Sequence, residues 1–242
     1  DALNSGRVDG ASLLVQLAMG AKEKGIPLKT VALGHTDGNV IVSSKNIKSP
    51  KDLKGKTFAI PHKMSSHNIL LKQMLKKNNM KIEDLKIIEL APPEMPAALS
   101  EGRIDAYAVA EPFGAKAVAS DKGKVLLRSD DVWENSVCCA LALREDFINK
   151  NKDTAQTFMN NYVKAGKIAS QDKEKTAEIV SKYLKVDEKV LDLSLGWIKY
   201  DNLKITEEHY NLLKDYMVEY GISKNPPAFK DMVDNSLIDN VK

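Results

Sequence analysis

Apolar positions along the chain follow two periods. Between residues 56 and 109, short apolar runs alternate with helical stripes. Lys56–Ile60 reads as a strand after the Gly55 turn. Ser65 or Ser66 caps a helix reaching about Asn79, with Ile69, Leu70, Met74 and Leu75 as its apolar stripe. Leu85–Leu90 is a second strand. Pro93–Glu101 is a short helix with Pro early, where its missing N–H does no harm, and Ile104–Val109 is a third strand. This β-α-β-α-β alternation predicts parallel strands covered by helices.

Ahead of that block, Ser12–Lys24 reads as a helix with Leu13, Leu14, Leu17 and Ala18 on one side, ended near Gly25 and Pro27. Leu28–Leu33 is a strand, Gly34–Asn39 a polar loop, and Val40–Ser43 a further strand. Val137–Leu143 reads as a return strand, and beyond it helix follows helix. Ala155, Phe158, Met159, Tyr162 and Val163 keep a helical period, as do Tyr210, Leu213, Met217 and Tyr220. Thr206 before Glu207 and Glu208 is a good helix start, and Gly221 a good stop.

One short pattern occurs twice. Ala2–Gly10 recurs as Ala98–Ala106, in the form A-L-x-x-G-R-[VI]-D-[GA], 96 residues apart. It reads as a helix end, a glycine able to take the left-handed cap, and the start of a strand. Two copies point to two lobes of similar build. The first lobe is expected to comprise residues 1–43 with 137–242, and the second residues 44–136. By analogy with the second lobe, roughly 40 residues of strand-helix-strand are expected before Asp1, with any export signal ahead of those. Two crossings between α/β lobes would make a cleft above a hinge, and ligands bind beyond the carboxyl ends of parallel strands.

Composition narrows the function. The chain has 242 residues, 43% hydrophobic and 29% charged, with a formal net charge of +3. Only four of the 36 basic residues are Arg, which argues against readout of nucleic-acid bases. The longest apolar runs are too short to cross a bilayer. The two cysteines are adjacent, Cys138 and Cys139, in a run that reads as a strand. Neighbours on a strand point apart, so these are expected to be two small buried hydrophobes, and the redox compartment stays open. No zinc spacing, nucleophile elbow, P-loop or dinucleotide fingerprint occurs. A metal site borrowing His35 ranks far behind solvent-facing histidines, so no metal, no cofactor and no catalysis are expected.

At this point the residues resemble a family. Leu53-Lys54-Gly55-Lys56 with Phe58-Ala59-Ile60-Pro61 resembles the opening of the second lobe in bacterial solute-binding proteins. Ser65-Ser66-His67 sits where that family places a serine-rich helix start. Met95, Ala98-Leu99, Gly102-Arg103-Ile104-Asp105-Ala106 and Glu111-Pro112-Phe113 are similar to its later run. Such proteins serve ABC importers of nitrate, sulfonates, taurine and thiamine-precursor pyrimidines. The resemblance implies a two-lobed α/β periplasmic-binding fold of type II, with two hinge crossings and a helical C-terminal region packed on the first lobe. It implies a monomer that captures a small polar solute by hinge closure and hands it to an ABC permease complex in the membrane. The location implied is extracytoplasmic, either periplasmic or a cell-surface lipoprotein in a Gram-positive host. The alternatives on the same fold are an enzyme like the thiamine-pyrimidine synthases and the effector domain of a transcription regulator. The iron-site cysteine cluster of the first has no counterpart beyond Cys138-Cys139.

The candidate ligand contacts follow from residue type. Ser65, Ser66 and His67 open a helix whose free N–H groups and dipole suit an anion, and the same residues also serve as plain caps. His35, Asp37 and Asn39 carry the polar handles of the Gly34–Asn39 loop, which otherwise is a solvated turn. Ser12 and Leu13 are weaker candidates at a helix start. Glu111, at a strand end, either binds an amine or ring N–H or braces the hinge, and Phe113 either walls the site or packs beneath it.

Overall fold

A computed structural model describes all residues, Asp1–Lys242. In chain order the elements begin with β1 (Gly10–Leu14), α1 (Val15–Glu23), β2 (Leu28–Leu33), β3 (Thr36–Asp37) and β4 (Asn39–Ser43). There follow β5 (Thr57–Ile60), α2 (Ser66–Lys77), β6 (Lys86–Glu89), α3 (Met95–Ser100), β7 (Ala106–Ala110), α4 (Phe113–Ala119) and β8 (Lys124–Arg128). The remainder is β9 (Cys139–Arg144), α5 (Glu145–Lys150), α6 (Lys152–Gln171), α7 (Lys173–Ser181), α8 (Glu188–Trp197), β10 (Ile198–Lys199), α9 (Glu207–Glu219), α10 (Phe229–Met232) and α11 (Ser236–Asp239).

The chain forms two compact units. The first contains residues 1–36, 137–173 and 200–242, and the second residues 37–136 and 174–199. Two segments thus lie outside the expected boundaries. The strand β4 pairs with β7 and β8, so its hydrogen bonds place it in the second unit. The segment 174–199 joins the same unit because α8 packs on α4, with Lys189 Nζ donating to Ala119 O at 3.2 Å. The C-terminal helices are therefore shared between the units.

The first unit holds a three-stranded sheet of order β1-β9-β2, with both outer strands antiparallel to β9. Val31, Ala32, Leu141 and Leu143 pack there with Ala155 and Met159 of α6 and Leu237 of α11. Here the helix expected over Ser12–Lys24 is shortened. Residues 10–14 are a strand, with Ser12 opposite Leu141 and Leu13 opposite Ala140, and helix begins only at Val15. A partner strand supplies hydrogen bonds that local sequence cannot foresee, so tertiary pairing overrode the helical stripe. Leu17, expected on the apolar side, is exposed, while Gln16 is fully buried.

The second unit holds a five-stranded sheet of order β6-β5-β7-β4-β8. The strands β5, β6 and β7 run parallel, as the β-α-β-α-β pattern predicts, and β4 lies antiparallel to both its neighbours. Side chains alternate faces. Ile41, Phe58, Ile60 and Ala108 face Leu70, Leu71 and Met74 of α2. Val40, Val42, Ala59, Tyr107 and Val109 face Met95, Ala98 and Leu99 of α3 and Ala117 of α4.

The repeated sequence pattern is also a repeated structure. Gly6 N–H donates to Leu3 O and Arg7 N–H to Ala2 O, at 3.2 and 3.0 Å. The equivalent bonds, Gly102 to Leu99 and Arg103 to Ala98, are 3.1 and 2.9 Å. Both glycines have φ of 72°, the left-handed cap that favours glycine. No helix is long and apolar enough to cross a membrane.

Candidate functional site

The predicted residues fall into separate groups, one in the first unit and the others in the second.

In the second unit, Ser65 is the N-cap of α2. Its Oγ accepts from Asn68 N–H at 3.3 Å and donates to His62 O at 2.7 Å, so both roles of the hydroxyl are in use within the chain. Asn68 Nδ2 donates to Lys63 O at 2.6 Å and tightens the turn. Ser65, Ser66 and His67 are all buried, His67 at 5% exposure. Capping is thus realised here, and the turn is held from within. Asn39 sits on the same sheet face, since it alternates with Val40 and shares the side of Ile41. Asn39 is 2% exposed, and its Oδ1 has no hydrogen-bond partner in the protein.

On the opposite face stand Glu111 and Phe113. Glu111 follows β7, and its N–H donates to Gly38 O at 3.1 Å. Its Oε2 accepts from Ala115 N–H of α4 at 3.0 Å and from Ser194 Oγ of α8 at 2.9 Å. Its Oε1 has no hydrogen-bond partner in the protein. Burial pushes this carboxyl up to about 7, against the lowering effect of the Ser194 and Ala115 hydrogen bonds. The peptide bond into Pro112 is cis. Phe113 opens α4, where its carbonyl accepts from the Tyr107 hydroxyl at 3.0 Å and Lys116 Nζ lies 5.1 Å from its ring centroid.

Asp37 takes φ of 57°, a left-handed geometry that Asp tolerates. It is 2% exposed and ion-paired to Lys199 Nζ at 2.8 Å, and Ser136 N–H reaches its Oδ1 at 3.3 Å. Gly38 follows at φ of 73°, and a Cβ there would lie 2.6 Å from Ile198 Cγ1. The loop is therefore no solvated turn. It is seated against the chain's later return through residues 198 and 199.

In the first unit, Ser12 is exposed and Leu13 half-buried, both on β1 and not at a helix start. Ser12 Oγ would lie 3.7 Å from a Cβ placed on Gly34. His35 is half-buried, and its ring stands edge-on to Tyr200 at 6.4 Å between centroids. It also lies beside the two cysteines, whose sulfurs are 3.7 Å apart. That closeness corrects the expected outward divergence of the thiols. Cys138 precedes β9, outside the regular strand, so strict alternation does not govern it.

Sequence reading passed over Ser194, Lys199 and Ser136, the partners of Glu111 and Asp37. Each lies far along the chain from the group it meets, and nothing local to it marks a function.

The family model described as the NMT1-like family matches residues 1–184. The chain belongs to the NMT1-like family. The ligand binding component of an ABC-type import system from Staphylococcus aureus, solved with zinc bound, is 40% identical, with a TM-score of 0.92 over 100% of this chain and 84% of that one. The periplasmic aliphatic sulphonate binding protein SsuA of Escherichia coli shares the fold at 22% identity, with a TM-score of 0.80 over 96% of this chain and 77% of its own. The taurine-binding periplasmic protein of Escherichia coli is 32% identical over 153 residues, 62% of this chain and 47% of that protein. The alignment with the nitrate import ATP-binding protein NrtC of Synechocystis, 29% identical, covers 62% of this chain and 25% of that protein. The chain thus spans half or less of these two relatives. Its fold is the α/β fold of the periplasmic binding proteins.

Proposed function

We propose that this chain is the extracytoplasmic solute-binding component of an ABC importer. It captures a small polar solute of the sulfonate, nitrate, taurine or pyrimidine class and passes it to a membrane permease and its ATPase. It works as a monomer, periplasmic or carried as a cell-surface lipoprotein. The observation that carries this reading is the 40% identity over the whole chain with a ligand binding component of an ABC-type import system. The taurine- and sulphonate-binding relatives favour a solute with an anionic head.

The candidate residues add a second requirement, a hydrogen-bond donor on the solute. Glu111 Oε1 and Asn39 Oδ1 are buried acceptors that the protein leaves without a hydrogen-bond partner, a costly arrangement unless a donor arrives. A solute amine or ring N–H supplies one. Ser12, Leu13, His35 and Phe113 are the accessible contacts, with Ser65, Ser66 and His67 shaping the start of α2. Asp37, held by Lys199 and Ser136, sets the path of the loop between His35 and Asn39. Capture proceeds by closure, without covalent chemistry, because solute contacts favour one of two states of similar free energy.

A thermal-shift screen across taurine, alkanesulfonates, nitrate and pyrimidines tests the reading. A solute present at 100 times its Kd stabilises by about 2.7 kcal/mol, a shift of roughly 5–10 °C for a chain of this size. The expected result is a shift for one class, with small-angle scattering showing compaction on the same addition. No shift with any class, together with no bound solute in native mass spectrometry, overturns it.

A further inference from the structure

We propose that His35, Cys138 and Cys139 form a three-donor site for a thiophilic divalent cation, with zinc as the first choice, leaving the fourth tetrahedral position open. The donor atoms, one from each side chain, all lie within 4.8 Å of one another. The two sulfurs are 3.7 Å apart. Two thiolates bound to one tetrahedral zinc at about 2.3 Å stand about 3.8 Å apart, so the thiols already span an edge of the polyhedron. A sulfur and an imidazole nitrogen on the same ion stand about 3.6 Å apart, so the histidine donor needs to close by at most about 1.2 Å, within reach of a side-chain rotation.

The backbone fixes this cluster. Leu33 lies opposite Ala140 in the β2–β9 ladder, and the same antiparallel register continues to a bridge between Thr36 and Val137. His35 is thereby set opposite Cys138. Gly34 N–H donates to Cys139 O at 2.8 Å, and Val15 N–H to Cys138 O at 3.0 Å, so both cysteines are anchored at their carbonyls. The Tyr200 ring stands edge-on beside His35, at 6.4 Å between centroids. The donor set contains no carboxylate, which disfavours magnesium and calcium, while two sulfurs and one imidazole suit zinc. Cys138 is buried and the other two residues are half-buried, which leaves a route of entry.

Binding involves no redox change. Each thiol gives its S–H proton to solvent as its sulfur bonds to the ion, and the neutral imidazole donates a lone pair, so two protons leave per zinc. Affinity therefore rises with pH. Tyr162 and Tyr200 are the other titratable groups facing the cluster.

The test uses reduced protein with both thiols counted. Zinc is titrated in competition with a chromophoric chelator, and cobalt(II) is added separately as a spectroscopic probe. One zinc per chain, a thiolate-to-cobalt charge-transfer band and tetrahedral d–d bands are expected. His35→Ala, Cys138→Ser and Cys139→Ser should each weaken zinc binding by at least about tenfold. A wild-type cobalt complex without a thiolate band overturns the proposal and needs no variant to fold. So does zinc affinity unchanged in the double cysteine variant. Neither outcome bears on whether the chain serves an importer, because solute binding is scored separately in the presence of chelator.

Discussion

Ser194 Oγ donates to Glu111 Oε2 at 2.9 Å and to Val190 O at 2.8 Å, tying α8 to the end of β7. The hydroxyl offers one proton, so these two contacts share it. Removing the hydroxyl in Ser194→Ala strips the buried carboxyl of its only side-chain donor. The expected loss is about 1–3 kcal/mol in urea denaturation, with the Glu111 carboxyl rising further. A variant as stable as the wild type would show that the Ser194 hydroxyl adds nothing to the hold of α8 on the sheet.

Glu111 makes stability depend on pH. Its carboxyl titrates near 7 in the folded chain against an ordinary value of 4.5, so the folded state holds the proton more tightly than the unfolded state. The stabilisation is fully present below pH 4.5 and is lost as pH rises towards 7, a change on the order of 3 kcal/mol at most. Glu111→Gln should remove that slope. Parallel urea titrations at pH 5 and 7.5 check it, and equal slopes for both proteins would place the raised group elsewhere.

Gly114 stands where α4 meets both β4 and Glu111. A Cβ there would lie 2.2 Å from Val40 Cγ2 and 2.5 Å from Glu111 Oε1. Alanine favours helix over glycine by about 1 kcal/mol. Overpacking of about 1–3 kcal/mol should nonetheless win, so Gly114→Ala lowers the urea midpoint. A raised midpoint would mean that α4 can shift outward without cost.

Lys199 neutralises a carboxylate that is 2% exposed, while its own side chain is half exposed to solvent. Lys199→Gln should cost about 1–2 kcal/mol, less than for a fully buried pair because solvent screens the ammonium side. Asp37→Asn, which also tolerates a left-handed backbone, separates charge from conformation. If high salt leaves the wild type and Lys199→Gln equally stable at every concentration, the pair contributes no net electrostatic energy.

Most of the local structure was legible in the sequence. The Ser65 cap of α2, the Thr206 cap of α9, the parallel β5, β6 and β7, and the glycine caps at Gly6 and Gly102 rest on hydrogen bonds within a few residues or on a period that one segment displays by itself. The candidate site was legible as residue types and no further. That Asp37 is engaged by Lys199, that Glu111 is raised by burial and held by Ser194, and that Ser12 lies on a strand paired with β9 depend on partners far away in the chain.

Local pattern was enough to place most strands and helices, though not the boundary between β1 and α1, and to show that one building pattern is used twice. Packing sets residues 174–199 in the second unit and brings the thiols of two adjacent cysteines together beside His35. The physical reason is one of range. Backbone hydrogen bonds within a helix or turn are closed by neighbours, whereas burial, a shifted carboxyl and a three-donor cluster exist only once distant segments have been packed together.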